Sequence, residues 1–288
     1  MNDQDHIQRF LFDDMAIRGE IITLQQSYQD VLAKGDYPPA IEQLLGQFLV
    51  AASLLSSLLK QDAVITVQAR GNGVVSTLMA ECDQQQNLRG IARGEFSAVD
   101  RQLQLGALLG DATLAITITP REGQRYQGIV KLEQDNLSAC LESYFQQSEQ
   151  LSSRLRICSD QQIAAGILLQ QLPENDDDEQ SVEDWREICA LLDTLNDSEQ
   201  LSLDHNEQLF RLFNQHTVRL MQRDAVRFKC SCSEQRTIDA LLSMGIEELK
   251  KLAEEQQVTE ITCQFCNHLY SFQRSQLEKL LNQQQQLH

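Results

Sequence analysis

The chain has 288 residues, 42% of them hydrophobic, enough for one sizeable domain with smaller pieces attached. Its formal charge of −18 argues against a nucleic-acid surface, because phosphates repel an acidic face. No basic segment followed by an apolar run opens the sequence, and eight cysteines without such a leader suit the reducing cytoplasm.

In chain order, residues 7–23 alternate apolar and polar around Phe10, Phe12, Ile17, Ile21 and Ile22, which predicts a first strand pair. Ser27–Ala33 reads as a short helix, broken by Lys34-Gly35-Asp36 and Pro38-Pro39. Leu44–Leu59 is apolar all round and predicts a buried helix, too short and too polar to span a bilayer. Arg70-Gly71-Asn72-Gly73 between strand-like runs predicts a hairpin, and Pro120-Arg121-Glu122-Gly123 a second one joining Leu114–Thr119 to Tyr126–Leu132. Gly106 and Gly110 lack both the G-x-G-x-x-G pattern and a following Gly-Lys-Ser/Thr, so no nucleotide loop is read there. Asn136–Gln150 predicts an amphipathic helix leading into a strand over Leu151–Ile157, with Ser148-Glu149 in a structural role at the helix end. These elements make residues 1–173 a mixed strand and helix domain closed by Pro173.

From Glu174 to Glu207 thirteen acidic residues face Arg186 alone, so the segment repels itself. Trp185, Ile188, Leu191, Leu192 and Leu195 nevertheless stand at helical spacing, followed by Leu209, Phe210, Leu212, Phe213, Val218 and Leu220. Such an acidic helix must bury its apolar stripe against something, and can do so reversibly. Residues 174–226 therefore read as a metastable helical linker; a solvated helix that simply stays docked is the alternative.

The last segment, 227–288, holds Cys230-Ser231-Cys232 and, thirty residues later, Cys263-Gln264-Phe265-Cys266. Two tight turns with paired thiolates close a tetrahedral shell around Zn2+, and the residues between them can form a helical hairpin. A closed four-sulfur shell has no open position for hydrolytic chemistry. Arg219, Arg223, Arg227 and Lys229 precede the first pair, and positive charge near a thiol favours the oxidisable thiolate. Cys82, Cys140, Cys158 and Cys189 stand alone and read as small core residues. His268 follows the second pair as a bystander, and after it a short strand and a final helix are expected. C-x-x-C is also a dithiol spacing, which leaves a thiol–disulfide oxidoreductase using Cys263 and Cys266 as an alternative.

Phe228-Lys229-Cys230-Ser231-Cys232-Ser233, the insert with Leu242, Met244-Gly245 and Glu247-Glu248-Leu249, and Thr262–Asn267 with Tyr270 and Phe272 share one pattern. Together with Tyr144–Leu151 and Ala164–Pro173, they resemble the redox-regulated thirty-three-kilodalton heat-shock chaperones of bacteria. The resemblance implies an α+β protein with a chaperone core, a helical acidic linker and a zinc-binding module. It implies a non-enzymatic, ATP-independent holdase that is cytoplasmic, holds one zinc per chain when reduced, and is monomeric in that state. Oxidation would pair Cys230 with Cys232 and Cys263 with Cys266. The linker would then unfold, unfolded or oxidatively damaged client proteins would bind, and the activated form would dimerise.

Overall fold

The computed structural model describes residues 3–98, 105–148, 151–173 and 179–285, with side chains described as far as Leu281. Glu149, Gln150, the opening acidic run Glu174–Asp178 and residues 286–288 lie outside them. The chain divides into two units, Met1–Lys229 and Cys230–His288.

In the first unit, β1 (His6–Phe12) and β2 (Ile17–Leu24) form the expected antiparallel pair and lead into α1 (Gln26–Leu32). The helix α2 (Pro39–Ser57) starts five residues before the expected Leu44, because Pro38 is extended and Pro39 occupies the first turn, where a missing N–H does no harm. At nineteen residues it is long and apolar enough to cross a membrane, contrary to the expectation from the shorter run, yet 78% of that window is buried inside the protein. It is a core helix. Then come β3 (Ala63–Gly71), β4 (Val75–Asp83) and β5 (Asn87–Gly94), followed after a 3-10 turn by α3 (Leu105–Leu109). The second expected hairpin is β6 (Ala112–Pro120) with β7 (Tyr126–Lys131), and α4 (Leu137–Ser148), β8 (Ser153–Ser159) and β9 (Ala164–Gln171) complete this part. The glycines near the first hairpin serve packing. A Cβ on Gly71 would stand 2.0 Å from the Leu109 carbonyl oxygen, so the turn closes on α3 only with glycine there.

The segment after Pro173 forms α5 (Glu179–Asp193), α6 (Asp197–Ser202) and α7 (His205–Phe213). Asn196 and Asp204 open the last two with complete capping boxes. Val218 and Leu220, grouped with the helical stripe in the sequence, belong instead to a strand, β10 (Val218–Ala225), which pairs antiparallel with β1. The two-residue β11 (Arg227–Phe228) then pairs parallel with β5.

Two sheets result, ordered β10-β1-β2-β9-β8 and β11-β5-β4-β3-β6-β7. α2 packs on strands of both, including β4, β5, β8 and β9, which is why it is apolar all round. The five-stranded sheet is covered on both faces. Ile22, Leu24, Ala164 and Leu168 join the α2 core, while Phe10, Phe12, Ile17, Ile21, Ile167 and Leu169 form a second core with Ile188, Leu192, Leu195, Leu209, Leu212 and Phe213 of the acidic segment. The acidic helices are thus the lid of an apolar sheet face.

Candidate metal centre

The second unit begins with Cys230-Ser231-Cys232 in irregular backbone. Ser233 caps α8 (Glu234–Ser243) by accepting from the Arg236 amide, and Met244-Gly245 turns the chain into α9 (Ile246–Glu255), with Gly245 at φ +100. This is the expected helical hairpin. It returns the chain to β12 (Val258–Thr262), which pairs antiparallel with β13 (Leu269–Gln273), and α10 (Arg274–Gln285) follows. Cys263 and Cys266 lie on the loop of this β-hairpin. Asn267 holds the left-handed conformation there at φ 60, which asparagine tolerates. Its amide donates to the Cys263 carbonyl at 2.8 Å, and the Cys263 amide to the His268 carbonyl at 2.8 Å, closing a tight knuckle.

The four sulfurs lie within 4.8 Å of one another. Two of the pairs run across the two turns, Cys230 to Cys263 at 3.7 Å and Cys232 to Cys266 at 3.5 Å. A tetrahedral zinc with sulfurs at about 2.3 Å requires sulfur–sulfur edges of about 3.8 Å, so the donor set and its spacing fit. All four are free thiols. The Tyr270 hydroxyl donates to Cys232 Sγ at 3.2 Å, and its ring meets that of His268 edge-on at 4.6 Å. Arg236 Nη1 donates to the Ser231 carbonyl at 2.9 Å and to its hydroxyl at 2.6 Å, fixing the first turn.

Burial pushes the Cys263 thiol up and the Cys266 thiol up to about 12, and the bond to Cys232 pushes the Tyr270 hydroxyl up to about 12. Crowded sulfurs do not all ionise by themselves, and Cys230, Cys232, Cys263 and Cys266 would hold a metal as thiolates only with the charge of that cation to favour their ionised form. The unit's own core is small, built on Leu241, Leu249, Ala253, Phe272, Leu277 and Leu281. A domain of that size gains much of its stability from a metal.

The basic run before the first pair is engaged within the first unit. Arg219 pairs with Asp13 at 3.0 Å, Arg223 with Asp3 at 2.5 Å, and Arg227 donates to Asn87 at 2.8 Å. These arginines anchor β10 and the start of β11, a role the sequence did not reveal. Cys82, Cys140 and Cys158 are buried, as expected for core thiols, and burial raises the pKa of each, Cys158 to about 12. Cys189 departs from that expectation, being only partly buried on α5. Two residues that sequence reasoning missed are Arg154 and Arg156 on β8, which pair with Asp193 and Asp197 at the ends of α5 and α6. Their signal was available: an i, i+2 arginine pair shares one strand face, suited to an acidic neighbour.

The chain is a mixed α+β protein with a cluster of four cysteines that could hold a metal ion and is compatible with redox-sensitive disulfides. The sequence matches the family described as Hsp33 protein over residues 5–273. Similar relatives are the 33 kDa chaperonin of Hahella chejuensis, 47% identical over 279 residues (96% of this chain, 97% of the relative), and that of Pseudomonas fluorescens Pf0-1, 44% identical over 282 residues (96% and 94%). The crystal structure of the 33 kDa chaperonin of Thermotoga maritima superposes with a TM-score of 0.83 at 21% identity, over 98% of this chain and 99% of that one, and shares the fold. The chain belongs to the Hsp33 family of chaperones.

Proposed function

We propose that this chain is an ATP-independent holdase, cytoplasmic and without enzymatic activity, that keeps its client surface covered until four cysteines are oxidised. Cys230, Cys232, Cys263 and Cys266 would hold one zinc ion as thiolates in the reduced monomer. When bound, zinc would act as a tetrahedral cross-link between the two turns. The observation that carries the reading is the lid: α5, Leu195 in the turn after it, and α7 bury their apolar stripe on Phe10, Phe12, Ile17, Ile21, Ile167 and Leu169. A highly acidic segment is a reversible cover for such a face, and removing it leaves a broad apolar surface for non-native protein.

Oxidation of each thiolate pair by one peroxide proceeds in two steps. The first thiolate takes one oxygen and becomes a sulfenic acid, releasing hydroxide. The second thiolate displaces hydroxide from it, forming one disulfide. Family membership supports Cys230–Cys232 and Cys263–Cys266 as the pairs, and dimerisation of the activated form. Disulfides would remove the thiolate ligands, and the small second unit would lose the cross-link it depends on. The acidic helices would then detach, exposing the sheet face.

The test is light scattering of a heat-denatured client with reduced and peroxide-treated protein, run beside insulin-disulfide reduction. Protection by the oxidised form alone, with no insulin turnover, is the expected result. Catalytic insulin reduction would instead support an oxidoreductase using Cys263 and Cys266.

A further inference from the structure

Thr23 on β2 meets His205 at the start of α7, their side chains 3.1 Å apart from Oγ1 to Nε2. His205 is fully buried at 0% exposure, and its other ring nitrogen, Nδ1, has no hydrogen-bond partner. As the Nε2–H tautomer, neutral imidazole is served by the single partner Thr23, donating to its hydroxyl while Nδ1 carries no proton. Imidazolium carries two N–H donors and would leave one buried and unpaired. The surroundings do not rescue it. Asp3, on the N-terminal segment, favours the charged ring, but its carboxylate already accepts from the His205 amide at 2.7 Å and pairs with Arg223 of β10 at 2.5 Å. Asp204 also favours it but caps α7 through the Glu207 amide, while Arg223 and His6 on β1 oppose it.

We propose that His205 is an acid-sensing latch: mild acidification undocks α7 and opens the covered sheet face without oxidation of the cysteines. This rests on the lid reading above. The electrostatics agree with the geometry, since burial pushes His205 down to about 4 despite the acidic neighbours. The freed linker histidine titrates near 6.5, so between about 6.5 and 4 the undocked state binds the extra proton. Docking is therefore fully supported above that window and weakens as pH falls through it. By about pH 5.5 the undocking equilibrium shifts about tenfold from this group alone.

The experiment compares full-length, reduced, metal-loaded wild type with His205→Gln between neutral pH and about pH 5.5. Trp185 fluorescence and amide protection of α7 report docking. Wild type is expected to show the roughly tenfold shift and His205→Gln to lose most of it. If both respond alike, carboxylates or cysteines carry the acid response and the proposal is overturned. A second measurement needs no variant: NMR titration of wild type should find the docked imidazole neutral to below about pH 5. An ordinary titration near 6.5 with α7 amides still protected would overturn the latch. The cysteine switch is judged separately, by whether peroxide still activates His205→Gln.

Discussion

Arg154 on β8 grips Asp193 at the end of α5 through both carboxylate oxygens, with Nη2 at 2.7 Å and 2.6 Å from them. The same guanidinium reaches Glu142 of α4 at 3.3 Å, and one strand step on, Arg156 holds Asp197 at 2.6 Å. The edge strand of the covered sheet thus clasps the lid from the side.

Asp193→Asn should loosen the lid only slightly. The pair is 38% and 51% exposed, and such pairs contribute at most about 1 kcal/mol. Apolar-dye binding by the reduced protein should rise modestly at low salt, and high salt should bring wild type and variant together. A large effect at high salt would mean that Asp193 acts through something other than charge.

Leu192→Ala should do much more. Leu192 is fully buried at 0% exposure in the core between lid and sheet, and truncating such a leucine costs about 2–5 kcal/mol. The reduced variant is expected to suppress client aggregation without oxidant. Phe210, on α7 but 72% exposed, is the control, and Phe210→Ala should leave the reduced protein inactive.

Tyr270→Phe removes the hydroxyl that donates to Cys232 Sγ. Losing a hydrogen bond to a metal ligand weakens affinity by about 10–100-fold. Competition with a chromophoric chelator should show zinc leaving the variant at lower chelator concentration, and a lower dose of peroxide should suffice to activate it.

Disulfide mapping by mass spectrometry distinguishes pairing within each turn from pairing across them. Cys230–Cys232 and Cys263–Cys266 are expected, although Cys230–Cys263 at 3.7 Å and Cys232–Cys266 at 3.5 Å also lie close across the turns. Disulfides across the turns would keep the two turns linked, and the second unit would then stay closed. Cys82, Cys140 and Cys158, buried and with raised pKa values, should remain reduced.

The hairpins were legible because Asn72-Gly73 and Glu122-Gly123 punctuate alternating strands, and the cysteine turns because paired thiols at short spacing have few other uses. β9 carried no such signal. All eight of its residues are buried, since α2 covers one face and the acidic helices the other, so Ala164–Gln171 shows no alternation. β10 was hidden for the opposite reason: it is an edge strand, mostly exposed, and its arginines looked like an electrostatic neighbourhood for thiols rather than partners for Asp3 and Asp13. His205 was unreadable in sequence, because its meaning depends on Thr23 and Asp3, brought together only by the fold.

The most direct measurement is amide hydrogen exchange across the chain before and after peroxide, with released zinc and remaining thiols counted in the same samples. One zinc released and four thiols lost per chain are expected, together with loss of protection over Ile188–Phe213 while α2 and the strands packed on it stay protected. Release of zinc with Ile188–Phe213 still protected would contradict this, because the cysteines would then be a structural clip with no hold on the lid.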